Sequence, residues 1–253
     1  MDMAAVVIAI VAANIDKFIV AYFSGVEVLS FYSLGYLVMT QVHAVFSASS
    51  SWVFPLISAK KSRGENLGTF YHNMQAIVVS FGFVTIAAAL LLQKPLISLW
   101  LGNELAQQAY PFIRIYLFTN FFYTINIIPH HVLNGTGNVK HNTLSELVMK
   151  SVSIGLMMLF YYLLGDVGLI WGIVGALILT TPLKVGMTRK YGLRQSNLAF
   201  YPACILPGIL IVATFSLNSP VLIALGTGLF VIAFYLIYLK PSDLSHRLDR
   251  LST

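Results

Sequence analysis

Residues Val28–Ala59 read VLSFYSLGYLVMTQVHAVFSASSSWVFPLISA and contain no Asp, Glu, Lys or Arg. A helix crosses the roughly 30 Å hydrocarbon core of a bilayer with about 20 apolar residues, so this stretch is long enough to span a membrane once. The rest of the chain has the same character, since 58% of its 253 residues are hydrophobic and only 9% are charged. Ordinary soluble domains carry about a quarter charged residues. The sequence therefore predicts an integral membrane protein.

Further apolar stretches predict seven more membrane helices. Five of them are Met3–Phe23, Leu67–Gln93, Ile115–Val139, Thr143–Leu164 and Gly168–Met187. The last two lie within Gln195–Leu239, on either side of the turn signal Asn218-Ser219-Pro220. We therefore predict an all-α integral membrane protein, a bundle of eight transmembrane helices.

Composition also excludes several other classes of protein. The polar surface is too small for a cytosolic enzyme or a disordered chain. Cys204 is the single cysteine, and no Cys/His cluster has metal-ligand spacing. These facts argue against a disulfide scaffold and a zinc site, and we expect neither metal nor cofactor.

The basic residues between the predicted helices are strongly asymmetric. Alternate gaps and the C-terminal tail hold eleven Lys or Arg residues, whereas the opposite gaps hold Lys94 alone. Basic loops remain in the cytoplasm, so this distribution predicts that both termini are cytoplasmic. Attraction to anionic membrane lipids accounts for the net charge of +6 without a nucleic-acid partner.

Two predicted helices carry polar side chains along one face from end to end. Such a stripe is typical of packing contacts between helices or of a water-accessible cavity, and a stripe of this length favours the cavity. The stripe of the second helix is Tyr32, Tyr36, Thr40, His43, Ser47 and Ser51, and that of the fourth is Tyr116, Thr119, Tyr123, Asn126 and His130.

Five charged residues lie within or beside the predicted spans. Lys17 shares a face with small and polar residues and is the first candidate for an anion contact, whereas Asp16 points about 100° away from it. Arg114 has two equally good interpretations: an anion contact, or a side chain that extends to the membrane–water interface. Glu146 and Lys150 are four residues apart, which predicts that they neutralise each other.

Several short motifs occur in the order typical of a known family. They are residues 14–20 (NIDKFIV), Gly25, residues 29–34 (LSFYSL), 54–58 (FPLIS), 99–102 (LWLG) with Glu104, and 133–137 (LNGTG) with Lys140. In this order they resemble the C-terminal half of Wzx-type bacterial polysaccharide (O-antigen) flippases. The resemblance covers about residues 3–192 and places the chain near the multidrug/oligosaccharidyl-lipid/polysaccharide exporter superfamily.

This resemblance implies a two-lobed transporter of the bacterial inner membrane, not an enzyme. Its implied substrate is an undecaprenyl-pyrophosphate-linked oligosaccharide for lipopolysaccharide or related polysaccharides, flipped by alternating access. Lys17 and Arg114 are carried over as anion contacts, and Asp16 matches the family's aspartate. The predicted cavity residues are thus Asp16, Lys17, Tyr36, Thr40, His43, Arg114, Thr119, Tyr123 and Asn126.

Eight helices exceed one lobe of such a transporter by two. We expect a six-helix lobe in residues 1–192, two additional helices in 193–240 and a cytoplasmic tail in 241–253. The first lobe is missing from this arrangement, so we expect the chain to be a fragment or to pair with a separate N-terminal lobe or with a second copy.

Three other functions compete with a flippase. A cation or multidrug exporter of the same superfamily would favour acidic cavity residues, whereas the stripes here carry more base than acid. A membrane glycosyltransferase or polymerase of the same pathway needs paired carboxylates in a sizeable loop, and the loops here are short. The third alternative is an inactive truncated remnant.

Overall fold

The structure is a computed structural model that describes residues 3–188. These residues form six helices: α1 (Met3–Ser50), α2 (Val53–Ser62), α3 (Gly68–Leu101), α4 (Asn103–Gly135), α5 (Val139–Leu164) and α6 (Asp166–Thr188). Four helical stretches among them are long and apolar enough to cross a membrane: Asn14–Ser62, Asn73–Leu101, Val139–Leu164 and Asp166–Thr188. The predicted all-α fold is confirmed for this part of the chain, and these four stretches have the length and composition of membrane spans.

The count of eight helices stays a prediction. The two helices expected in Gln195–Leu239, the boundary after residue 192 and the tail from residue 241 lie outside the described residues.

The first two predicted helices are joined more closely than the sequence suggests. Gly25 has φ 82° and ψ 179°, which interrupts the helical geometry of α1 without a connecting loop. Glycine adopts a positive φ without a steric penalty, so it allows this sharp change of direction. The second predicted span is itself divided by a turn at residues 51–52, after which α2 begins.

A short polar loop joins α2 to α3 outside the spans. Glu65 in this loop accepts a hydrogen bond from Lys60 Nζ at 2.5 Å and lies 3.1 Å from Arg63 Nε. The hydrogen bond from Lys60 and the charge of Arg63 hold the pKa of Glu65 below its usual value. These exposed ion pairs organise the loop and contribute little to stability.

Helix α4 begins twelve residues before the predicted Ile115 and is the centre of the bundle. It packs against α1, α2, α3 and α6, and its side chains are buried along most of its length. The contact with α3 is close, because a Cβ on Gly82 would lie 2.3 Å from Thr124 Cγ2. Its neighbours shield α4 from lipid, which explains how it accommodates Asn120 and Asn126 in a membrane.

Helices α5 and α6 form a tight antiparallel hairpin. Added Cβ atoms on Gly168 and Gly172 would lie 2.0 Å from Phe160 O and 2.4 Å from Met157 N. Small residues four apart allow two membrane helices to pack backbone against backbone. Since α5 makes few contacts with α4, this hairpin leaves room for a cleft between α5 and α1.

Candidate functional site

A cleft of about 700 Å³ lies between α1, α4, α5 and α6. This size is within the usual range for ligand sites, about 300 to 1,000 Å³. Its wall combines apolar side chains with polar and ionisable ones. The polar lining residues are His43, Ser47, Tyr123, Asn126, His130, His131, Thr143, Ser145, Glu146, Lys150, Thr180 and Lys184.

A much smaller inner pocket of about 30 Å³ adjoins the cleft. A cavity needs about 10 to 15 Å³ of volume accessible to a water-sized sphere to hold a water molecule, so this pocket is large enough for one. The two cavities have Tyr123, Met149 and Lys150 in common. The other residues that line the inner pocket are Asp16, Tyr36, Met39, Tyr116, Thr119, Ser153 and Ile173.

Glu146 is the centre of the charged part of the cleft. Its Oε1 lies 3.5 Å from Lys184 Nζ and 3.4 Å from His130 Nδ1. The side chain of Lys184 is only 12% exposed, whereas that of Glu146 is 52% exposed. Glu146 thus links α5 to both α4 and α6, and about half of its side chain remains exposed.

His130 is held by two asparagine side chains. Asn142 Nδ2 lies 2.8 Å from His130 Nδ1, and Asn134 Nδ2 lies 3.0 Å from His130 Nε2. These contacts fix the plane of the imidazole at the mouth of the cleft. The polar network therefore continues from α6 through α5 to the end of α4.

The predicted pair between Glu146 and Lys150 is wrong. Glu146 pairs with His130 and Lys184, and within residues 3–188 Lys150 makes no ion pair. The ion pair between α5 and α6 replaces the predicted pair between Glu146 and Lys150 along α5. Lys184 of α6 lies on the side of α5 that carries Glu146. Lys150 instead remains exposed in the cleft.

Asp16 is buried, with 7% of its surface exposed. Its Oδ2 accepts a hydrogen bond of 2.7 Å from the Tyr32 hydroxyl. Its Oδ1 is buried and has no hydrogen-bond partner among the described residues. The carboxylate thus joins both segments of α1 across the Gly25 kink and borders the inner pocket.

Lys17, the first candidate for an anion contact, has local partners. Its Nζ donates to Asn14 Oδ1 at 2.7 Å and lies 4.8 Å from the centre of the Tyr36 ring. Thr40 donates to the carbonyl oxygen of Leu37 at 2.8 Å, and Arg114 is partly buried in α4. Neither cavity includes Lys17, Thr40 or Arg114 in its lining.

The other predicted residues lie together. Asp16, Tyr36, Thr119 and Tyr123 line the inner pocket, and His43, Tyr123 and Asn126 line the cleft. The rings of His43 and Tyr123 are 5.4 Å apart. Both polar stripes therefore face the same cavity system.

Sequence analysis missed the contribution of α6. Lys184 lies within the predicted span Gly168–Met187, although it is one of the eleven basic residues that the charge distribution assigns to the cytoplasmic gaps and tail. A charge inside a span is a functional-site signal that could have identified it. Among residues 3–188, no group of three or more His, Cys, Asp or Glu side chains is placed to hold a metal ion.

Comparison with protein families gives a match over part of the chain. Residues 2–110 match the polysaccharide biosynthesis protein family. The match supports the predicted flippase-type family and a role in polysaccharide biosynthesis. It covers α1, α2, α3 and the first turns of α4, and hence Asp16, Tyr36 and His43 but not the lysines of the cleft. Neither the curated proteins nor the solved structures give a match.

Proposed function

We propose that the chain forms one lobe of a membrane transporter that flips a lipid-linked oligosaccharide, joined to undecaprenol through a pyrophosphate, across the bacterial inner membrane. The observation that carries this proposal is the charge of the cleft. Lys150 and Lys184 outnumber Glu146, and three histidines stand beside them. Ammonium groups bind phosphate oxygens through charge-assisted hydrogen bonds, and histidines add further donors.

The remainder of the cleft wall suits the other parts of such a substrate. Hydroxyl and amide groups from the two stripes offer hydrogen bonds to sugar hydroxyls. Apolar side chains such as Ile127, Leu147 and Leu177 line the same cleft and suit the first isoprene units. An amphipathic ligand therefore has a partner surface for each of its chemical parts.

The position of the cleft supports loading from the cytoplasmic side. Lys61 donates to the carbonyl oxygen of Thr136, and Ser58 donates to Gly135 O at 3.2 Å. The basic end of α2 thus lies beside the end of α4, near His130 and the mouth of the cleft. Because basic loops stay cytoplasmic, we assign this end to the cytoplasm.

The exposed polar side of α1 supports a partner lobe. Tyr36 and Ser47 are exposed, and polar groups in contact with lipid chains are costly. A second lobe that encloses a hydrated cavity would remove this cost. Transport by rocking of two lobes then requires either a separate N-terminal lobe or a second copy of this chain.

Complementation tests this function directly. A flippase-null strain receives one of three combinations: this chain alone, this chain with a co-expressed N-terminal lobe, or the Lys184→Gln variant of this chain with the same lobe. We expect surface polysaccharide only when both lobes are present, and a clear decrease with the variant. Full complementation by a variant that lacks both Lys150 and Lys184 would refute the anion-binding cleft. Efflux of a cationic dye without polysaccharide export would favour a drug exporter instead.

A further inference from the structure

Lys150 is the one residue with a charged side chain that borders both the cleft and the inner pocket. It is exposed, and among residues 3–188 it makes no ion pair. A lysine side chain carries a compact charge at the end of a flexible four-carbon stem. Its ammonium group can therefore occupy different positions while the backbone stays fixed. Lys150 therefore has access to two environments.

The inner pocket offers this ammonium group a partner. Asp16 Oδ1 is buried and has no hydrogen-bond partner among the described residues, and Asp16 lines the pocket. A buried carboxylate oxygen without a partner is costly. The volume of about 30 Å³ accommodates one ammonium group or one water molecule.

Other cations near Asp16 are already engaged. Lys17 is adjacent in sequence, but its Nζ contacts Asn14 and Tyr36. Lys184 is paired with Glu146 and does not line the inner pocket. The remaining titratable groups around the pocket are tyrosines: Tyr32, Tyr36, Tyr116 and Tyr123. Lys150 is thus the ammonium group that the geometry offers to Asp16.

We propose that Lys150 is an exchangeable counter-ion. The structure shows the outward position, in which Lys150 is exposed and makes no ion pair among residues 3–188. In the alternative position, which is open to it when no phosphate holds it in the cleft, its ammonium group enters the inner pocket and pairs with Asp16 Oδ1. When the pyrophosphate of the substrate occupies the cleft, the ammonium group turns outward and binds phosphate oxygens. This inference rests on the proposed function for its outward state, whereas the inward state requires no ligand.

The exchange makes Asp16 a positioning residue that competes with the substrate for Lys150. Removal of the Asp16 charge therefore strengthens anion binding, and only in a chain that retains Lys150. A purely structural Asp16, which serves only to accept the Tyr32 hydrogen bond, does not produce this dependence. A long-range electrostatic effect of Asp16 would strengthen binding whether or not Lys150 is present.

The first test is a double-mutant cycle on the purified full chain, with inorganic pyrophosphate as the probe. We expect Asp16→Asn to tighten binding about five-fold, the equivalent of one modest ion pair. In the Lys150→Gln background the same change should leave the affinity within about 1.5-fold. Glu27→Gln removes an exposed acid of α1 away from both cavities and serves as the matched control.

The second test needs no ligand. A water-soluble acylating reagent labels lysines of the full chain in detergent, and mass spectrometry compares Lys150 with the exposed Lys140. We expect Asp16→Asn to increase the labelling rate of Lys150 about five-fold relative to Lys140. Tyr32→Phe removes the hydrogen bond to Asp16 but keeps its charge, so it should leave Lys150 protected.

The two tests separate this inference from the proposed function. Equal labelling of Lys150 in the wild type and in Asp16→Asn overturns the exchange, whether or not pyrophosphate binds. Equal tightening by Asp16→Asn with and without Lys150 overturns it as well. Protection of Lys150 by Asp16 together with an absence of pyrophosphate binding keeps the inward pair and rejects the anion cleft.

Discussion

Gln75 of α3 donates its side-chain amide to the main-chain carbonyl oxygen of Ile125 in α4, at a distance of 2.8 Å. Ile125 lies four residues before Pro129, which has no backbone N–H to donate to that carbonyl. Gln75 therefore supplies the hydrogen bond that the proline removes. This contact holds α4 together just before His130 enters the cleft.

Replacement of this amide should loosen α4. We expect Gln75→Leu to lower the free energy of unfolding by about 1 to 3 kcal/mol, because it leaves the buried Ile125 carbonyl without a donor. Thermal unfolding of the purified chain in detergent measures this change. Pro129→Ala restores the backbone donor and should reduce the cost of Gln75→Leu. An equal cost in both backgrounds would contradict the assigned role, and the exposed Gln41→Leu is the control.

The α5–α6 hairpin should be sensitive to side-chain volume at its glycines. We expect Gly172→Leu to destabilise the protein by about 3 kcal/mol or more, since added atoms would overlap the backbone of Met157. The control is Gly186→Ala on the same helix, where a Cβ meets nothing within 4 Å. Comparison of their unfolding temperatures checks the prediction, and similar values would show that the close packing is not required.

The charges of the cleft should control its affinity for anions. We expect Lys184→Gln to weaken the binding of inorganic pyrophosphate about ten-fold, as for the loss of one charge-assisted contact. Glu146→Gln should strengthen binding, because it removes the acid that engages Lys184 and His130. Isothermal titration measures both effects. Lys140→Gln and Glu104→Gln, which alter exposed charges outside the cleft, should leave the affinity unchanged.

The polar stripe of α1 should be accessible to water when the protein is in the membrane. In a chain with Cys204→Ser, we expect cysteines at Tyr36 and Ser47 to react with a membrane-impermeant thiol reagent. A cysteine at Phe46, which is 1% exposed, should not react. Protection of all three positions in intact membranes and in detergent would contradict a hydrated cavity beside α1.

Much of the fold follows from local patterns in the sequence. Uncharged runs predict where helices cross the membrane, and residues three or four apart predict which side chains share a face. Tyr36, Thr119 and Tyr123 were predicted in this way, and they line one pocket. Pro129 is visible in the sequence, but the compensating contact from Gln75 comes from another helix and has no local signal.

The partners of the charged residues depended on the tertiary structure. Spacing predicts that Glu146 and Lys150 pair along one helix, yet Glu146 forms its ion pair with Lys184 of α6. Lys150 borders both cavities instead. Periodicity describes the faces of a single helix, whereas the Gly25 kink and the glycine contacts of α6 decide which faces meet. Hydrophobicity thus specifies that these helices enter the membrane, and packing between distant segments specifies which charges share the cleft.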